Sequence, residues 1–257
     1  MTAARLCGKI GNAASSAPIS PLPRQWVSGQ ATWRQRRDFE VTARRLIRLP
    51  DGAAEPLGHL LSEADWRTLA PPGPQEEDVL EALSQATGIF FFPSTEWVLS
   101  LDRFIRLLGI RRVLEVGAGR GYLAAALAPW LTPQGLAFRA VDKALGEFES
   151  GLPRHPVVEI ADALGAVQAF HPDLVIYAWP PPGQSILPLC QSPGVRYVLL
   201  LGEEGGGCTG DPADWHSWPH RRSARLSRLG VGRTGRRQQA AVFFYGAASS
   251  YNCANSS

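Results

Sequence analysis

The sequence predicts an α/β fold in which helices cover both faces of a mostly parallel sheet. From residue 111 onward, apolar segments typical of buried strands alternate with stretches of about 10 to 18 residues that can form helices. Parallel neighbours need crossover connections of this kind, so the alternation favours a parallel sheet. The strand candidates span 112–117, 136–142, 156–161, 173–179, 196–202 and 239–246.

The end of the predicted domain has a different pattern. Residues 225–246 read RLSRLGVGRTGRRQQAAVFFYG, with a turn rich in glycine and arginine between two strand-like pieces. A turn of this composition between apolar segments predicts an antiparallel pair at the end of the sheet. Residues 247–257 are polar and predict a disordered tail.

A basic arm and a helical extension precede the strands. Residues 1–37 contain no acid, which predicts a flexible basic arm. An organelle transit peptide is an alternative for this arm, but the favoured interpretation is the disordered leader of a cytoplasmic protein. Residues 38–93 form the predicted extension, or cap, with helical stretches at 38–49, 61–69 and 74–87. Ser94 is the predicted N-cap of a further helix that ends before Gly109.

Charge and cysteine content narrow the function classes. The net charge is +3 and the arm contributes +6, so the remainder carries −3, from 20 basic and 23 acidic residues, and does not require nucleic acid. The four cysteines form no C-x-x-C pair, so we expect neither a metal site nor a disulfide framework. No apolar run approaches the about 20 residues of a membrane-spanning helix, so no membrane partner is expected. The oligomeric state stays open.

The stretch VLEVGAGRGYLAAALA, residues 113–128, predicts a strand, a glycine turn and the start of a helix. The dinucleotide-binding pattern G-x-G-x-x-G would need glycine at the position of Tyr122. Glu115 lies two residues before the first glycine, where a carboxylate would repel a pyrophosphate and suit an ammonium group. A ligand-free turn and a nicotinamide- or flavin-binding variant are the alternatives.

The segment LEVGAGRG, residues 114–121, resembles the first motif of the class I S-adenosylmethionine-dependent methyltransferases, and the resemblance extends over 94–246. It implies a Rossmann-like domain with helices on both faces of a mostly parallel seven-stranded sheet whose last strand is antiparallel. It also implies S-adenosylmethionine (SAM) as the cofactor. The cofactor contacts that it implies are Glu115, Gly117, Ala118, Gly119, Gly121, Asp142, Lys143, Asp162 and Ala163.

Two acids at predicted strand ends have specific roles under this resemblance. Asp142 follows Gly121 by 21 residues and would accept hydrogen bonds from the ribose hydroxyls. Asp162 would contact the adenine amino group, with the next residue's backbone amide on the ring. The alternatives are a solvated loop acid for Asp142 and a helix N-cap for Asp162, which is compatible with adenine binding.

Two loops provide the catalytic candidates, Trp179 and Glu203. The loop WPPPG, residues 179–183, resembles the D/N-P-P-aromatic motif of amino-group methyltransferases, but the indole of Trp179 cannot accept a hydrogen bond from a target amine. This departure puts methylation of exocyclic base amines in doubt. Trp179 could instead pack on a flat substrate, on the cofactor or within a rigid turn. Glu203 begins the glycine-rich loop 203–211 and could bind a substrate cation or act as a general base.

The sequence therefore predicts SAM-dependent methyl transfer to an unidentified acceptor, with a small or planar molecule favoured. The alternative is a catalytically silent SAM-binding or partner-binding domain of the same fold. Aminopropyl transfer is a rival on this fold, but the acids that would grip a polyamine are not evident after the glycine turn. Nucleic-acid binding through the basic arm would show a steep salt dependence.

Overall fold

The structure is a computed structural model that describes residues 19–28, 31–50, 56–143 and 151–249. Residues 1–18 and 29–30 of the predicted arm and residues 250–257 of the predicted tail lie outside these ranges. The helices are α1 (Trp33–Leu46), α2 (Glu63–Leu69), α3 (Glu76–Thr87), α4 (Thr95–Leu107), α5 (Tyr122–Leu131), α6 (Ala163–Phe170), α7 (Leu187–Cys190), α8 (Pro212–Ser217) and α9 (Ala224–Leu229). The strands are β1 (Phe91–Pro93), β2 (Arg112–Val116), β3 (Ala137–Asp142), β4 (Val158–Ile160), β5 (Leu174–Ala178), β6 (Tyr197–Glu203), β7 (His220–Arg222), β8 (Gly230–Gly232) and β9 (Gln239–Tyr245).

Seven strands form the main sheet in the order β4-β3-β2-β5-β6-β9-β7. The first five of these are parallel, and β9 runs antiparallel to both β6 and β7. The sequence order reverses between β2 and β5, which is the kind of position where ligands bind in open α/β sheets. The predicted fold class, a Rossmann-like sheet with an antiparallel last strand, is confirmed.

The prediction of an antiparallel pair within 225–246 is wrong. The partners of β9 are β6 and β7, whereas β8 pairs with β1 in a separate two-stranded sheet. The reason is local packing, because the absence of a Cβ at Gly230 leaves room for the ring of Phe91. An added Cβ would lie 2.9 Å from that ring, so the glycine allows the close approach of β1.

Capping side chains set the ends of the helices. α1 begins at Trp33, five residues before the predicted start and inside the predicted arm, because Thr32 and Gln35 form a reciprocal capping box. Ser94 accepts a hydrogen bond from the backbone N–H of Trp97 at 3.0 Å, which confirms its predicted role as the N-cap of α4. Gly109 follows α4 with φ +62°, the left-handed conformation expected after a helix.

The helical extension shares one hydrophobic core with the main sheet. Buried side chains of the extension and of the sheet, among them Phe39, Leu80, Ile176 and Phe243, belong to the same apolar cluster. The predicted boundary at 93/94 therefore falls between β1 and α4 and within a continuous core. In the described ranges, no helix is both long and apolar enough to cross a membrane.

Candidate functional site

A cavity of about 460 Å³ opens at the carboxyl ends of β2, β3, β4 and β5. This volume is within the range of small-molecule sites, and the position is the ligand crevice of an open parallel sheet. Most of the predicted cofactor residues line it: Glu115, Gly117, Ala118, Gly119, Asp142, Lys143, Asp162 and Ala163. Trp179 lines it as well, whereas Gly121 and Glu203 are not part of its wall.

The glycine turn has a left-handed backbone at each of its three glycines. Gly117 has φ +61° and Gly119 has φ +57°, and an added Cβ at Gly117 would lie 2.5 Å from a ring carbon of Tyr177. Gly121, with φ +86°, is the N-cap residue of α5 and packs against Val158. Only glycine adopts these angles without strain, so the turn can approach both its neighbours and a ligand closely.

Glu115 is a buried carboxylate with an unsatisfied oxygen at the cavity wall. Its side chain is 2% exposed, and Oε2 has no hydrogen-bond partner among the described residues. Burial, and secondarily the negative charge of Asp142, raises the pKa of Glu115 to about 8. Below that pH the protonated form of Glu115 prevails in the empty cavity, and a cationic hydrogen-bond donor that enters the cavity would stabilise the ionised form.

Asp142 ends β3 beside the glycine turn. Its Oδ2 accepts a hydrogen bond from the backbone N–H of Gly119 at 2.8 Å, and the residue is 8% exposed. It is therefore not a solvated loop acid, because it is fixed by the turn and lines the cavity. Asp142, together with Glu115 when a bound cation keeps it ionised, gives this side of the cavity a negative character.

Asp162 has the geometry of a helix N-cap. Its Oδ1 accepts a hydrogen bond from the backbone N–H of Gly165 at 2.8 Å, as expected at the start of α6. The residue also lines the cavity, as does the neighbouring Ala163. Capping and ligand contact are therefore compatible at this position.

Trp179 has a backbone conformation that is rare for a bulky residue. Its φ is +55°, and its N–H donates to the carbonyl of Leu201 at 2.7 Å, which holds the turn after β5 next to β6. The indole packs on Gly232, where an added Cβ would lie 2.6 Å from Cζ3. Strained residues of this kind persist where the surroundings fix them, commonly at ligand sites.

The loop after Trp179 is braced by the glycine-rich loop. The N–H of Gly183 donates to the carbonyl of Gly210 at 2.8 Å, and the N–H of Gly210 donates to Pro180 at 3.1 Å. Asp214, which is 3% exposed, accepts from the Ser185 hydroxyl at 2.9 Å and from the N–H of Ile186. These bonds fix the loop that forms one side of the cavity.

Glu203 lies in this brace and away from the cavity wall. Its Oε2 accepts a hydrogen bond from the backbone N–H of Cys208, and its own N–H donates to the Thr209 hydroxyl at 2.9 Å. The residue is 5% exposed. The structure therefore gives Glu203 a role in organising the loop 203–211 and does not bring it into the cavity.

The sequence reasoning missed the contribution of the extension to the site. Phe90 and Phe91 line the cavity together with the glycine turn. The guanidinium of Arg120 donates to the carbonyls of Thr87 and Pro153, which ties the turn to the end of α3. The sequence feature that could indicate this contribution is the Gly-Val-Gly pattern at β8. Two glycines at alternate positions leave one face of a strand without side chains, so another segment can pack closely against it.

No protein-family model matches the sequence, and no curated protein sequence matches it. Solved structures that are similar include the CMeT domain of the citrinin polyketide synthase, which has 12% sequence identity and a TM-score of 0.41. The similarity covers 84% of this chain and 68% of that chain. Human N-acetylserotonin methyltransferase in complex with SAM has 12% identity, 90% and 72% coverage, and a TM-score of 0.38. The N-terminal domain of EvdMO1 with SAH bound has 16% identity, 86% coverage of both chains, and a TM-score of 0.32. Because the TM-scores are below 0.5, we draw no conclusion from these similarities. The architecture is established by the strand order of the main sheet.

Proposed function

We propose that this chain binds SAM in the cavity beside the glycine turn and transfers its methyl group to a small or planar acceptor. The observation that carries the proposal is Glu115, a buried carboxylate with an unpartnered oxygen, at the wall of a cavity that Asp142 also lines. Such a pair selects a ligand that is cationic near Glu115 and rich in hydrogen-bond donors near Asp142.

SAM fits this distribution of charge. It carries an ammonium and a sulfonium group, a ribose with two hydroxyls, and an adenine amino group. The resemblance assigns the ammonium end to Glu115 and the turn, the ribose to Asp142, and the adenine to Asp162. A dinucleotide fits poorly, because its pyrophosphate would meet the carboxylate of Asp142 near the glycine turn, and Glu115 would offer it no positive charge.

The chemistry that SAM supplies is an electrophilic methyl group on its sulfonium sulfur. The chain's own residues bind and orient the reactants and keep water out, which is the main protein contribution in reactions of this type. The side chains of Tyr177, Trp179 and Phe91 give the cavity apolar walls for this purpose. Trp179 cannot take up a proton, so we expect alignment, rather than a base at position 179, to support the transfer.

Calorimetry tests cofactor binding. We expect S-adenosylhomocysteine (SAH), the stable demethylated product, to bind the full chain, and NADH to give no heat under the same conditions. Glu115→Gln should weaken SAH binding by about 10- to 100-fold, the scale of a hydrogen bond to a charged group. The matched control is Glu204→Gln, because Glu204 is an exposed acid paired with Arg222 on the surface. Binding of NADH in preference to SAH would refute the proposal.

Methyl transfer is tested separately with SAM that carries a tritiated methyl group and a panel of small aromatic acceptors. Radioactivity in an acceptor would support the enzymatic function. Tight binding of SAH with no turnover on any acceptor would favour the catalytically silent alternative.

A further inference from the structure

The cavity is lined by aromatic residues as well as by carboxylates, and three of the aromatic residues are called here the aromatic wall. This wall consists of Phe90, which precedes β1, Phe91, which begins β1, and Trp179 after β5. Two of its rings pack on the glycines of β8. An added Cβ at Gly230 would lie 2.9 Å from Phe91, and one at Gly232 would lie 2.6 Å from Trp179. The β1–β8 pair therefore positions aromatic rings from two distant parts of the chain on one side of the cavity.

The charged lining residues come from other segments of the chain, and these segments define the charged half of the cavity. The lining residues with charge follow β2, β3 and β4 and are Glu115, Arg120, Asp142, Lys143 and Asp162. The lining residues within 88–91 and 177–189 include none, as far as the described residues extend. An ionic group placed against the aromatic wall would lose its hydration without gaining a charged partner, which is unfavourable.

Aromatic rings can also bind a cation on their faces, but the Phe90 ring already has an arginine side chain stacked on it. The guanidinium of Arg233 lies over the Phe90 ring, 5.5 Å from its centroid, and pairs with Glu81 at 2.7 Å. A cationic acceptor on this wall would be close to the charge of Arg233. The arrangement therefore favours an uncharged aromatic compound over a quaternary ammonium compound.

We propose that the aromatic wall is the acceptor subsite and that the acceptor is an uncharged, planar aromatic compound. This inference rests on the proposed function, which places SAM in the charged half of the same cavity. Trp179 is then a specificity-determining residue. Its left-handed backbone is energetically unfavourable, and it places the indole on Gly232 within the aromatic wall.

The test uses two probes with the same ring system. N-phenyl-1-naphthylamine is neutral, and 8-anilinonaphthalene-1-sulfonate adds an anionic group to it. Each probe is titrated by fluorescence into the full chain saturated with SAH, and tetramethylammonium serves as a cationic competitor. We expect the neutral probe to bind at least about 10-fold more tightly than the sulfonate, and tetramethylammonium to leave it bound.

Trp179→Gly is the decisive variant, because glycine removes the indole and also adopts a φ of +55° without strain. It should weaken neutral-probe binding by about 10-fold and change SAH affinity by less than about 3-fold. The matched control is Trp33→Ala, since Trp33 lies on α1, is 73% exposed and is not part of the cavity. Gly232→Ala is a second variant; its Cβ would meet both the side-chain oxygen of Gln239 and the indole of Trp179, and it should weaken probe binding by displacing the indole.

The outcomes separate the two proposals. If SAH binds but the neutral probe does not, or if the sulfonate or tetramethylammonium binds equally well, the acceptor inference is wrong and the proposed cofactor site stands. Probe binding that is unchanged in both Trp179→Gly and Gly232→Ala also overturns it. If SAH does not bind, the proposed function fails, whereas neutral-probe binding that depends on Trp179 would still support the wall.

Discussion

Replacing Glu115 with glutamine should stabilise the protein while it weakens cofactor binding. The pKa of Glu115 is raised from 4.5 to about 8 in the folded chain, mainly by burial. A raised pKa means that the folded state holds the proton more tightly than the unfolded state. The stabilising contribution of the protonated form is therefore complete below pH 4.5 and is lost as the pH rises to about 8.

The size of the effect follows from the pKa difference. A shift from 4.5 to about 8, at about 1.4 kcal/mol for each unit, gives an upper limit of about 5 kcal/mol. Glutamine keeps the shape of the side chain and has no charge to desolvate. In a chain of this size each kcal/mol shifts Tm by about 2 to 4 °C, so the Tm advantage of Glu115→Gln above pH 8 could reach on the order of 10 °C.

The assay is thermal unfolding of wild type and Glu115→Gln from pH 5 to pH 8.5, together with SAH calorimetry at pH 8. We expect the two Tm curves to diverge with rising pH, while the variant loses SAH affinity. Glu204→Gln, on the surface, should follow wild type in both measurements. Parallel Tm curves would refute the desolvation argument, and unchanged SAH affinity would remove Glu115 from the ligand site.

Four further substitutions test separate parts of the structure. Asp142→Ala should weaken SAH binding by about 1 to 3 kcal/mol in calorimetry, and an unchanged affinity would exclude this residue from the site. Gly117→Ala should lower Tm by an amount equivalent to about 1 to 3 kcal/mol, because its Cβ would clash with the Tyr177 ring and alanine is strained at a φ of +61°. A wild-type Tm for this variant would contradict the argument. Glu203→Gln keeps an acceptor oxygen for the loop, so Tm and methyl transfer should change little, and a folded but inactive variant would restore Glu203 as a base. Ser94→Ala removes an N-cap and should cost about 1 kcal/mol in unfolding experiments with SAH affinity unaltered; a loss of affinity would link α4 to the site.

The main sheet and the charged half of the cavity were accessible from sequence because each depends on local patterns. Apolar segments separated by helix-length stretches predicted the parallel strands from β2 to β6, with small errors at their ends. Glu115, Asp142 and Asp162 could be located because each stands at or just after the end of a strand, and the ends of parallel strands meet at one edge.

The remaining features depend on contacts between distant segments, which no local pattern specifies. β1 and β8 are strands of only three residues each, and their pairing depends on the close approach of Phe91 to Gly230, so neither has a strand pattern of its own. The position of Glu203 outside the cavity wall also depends on a contact that the sequence pattern does not specify. A strand-end acid was expected to point into the cavity, but the following glycines fold back so that the N–H of Cys208 meets its carboxylate.

The pairing of β1 with β8 delays the folding of the extension during synthesis. The ion pair between Glu81 and Arg233 joins residues 152 positions apart, and β1 meets β8 across a similar interval. During synthesis, the part of the extension that packs on β8 must therefore wait until residue 232 has left the ribosome before its apolar surface is covered. Non-local closure of this kind is slow, and a nascent chain with exposed apolar surface is prone to aggregate. Release of truncated products that end before residue 230 should accordingly yield insoluble protein rather than a smaller folded unit.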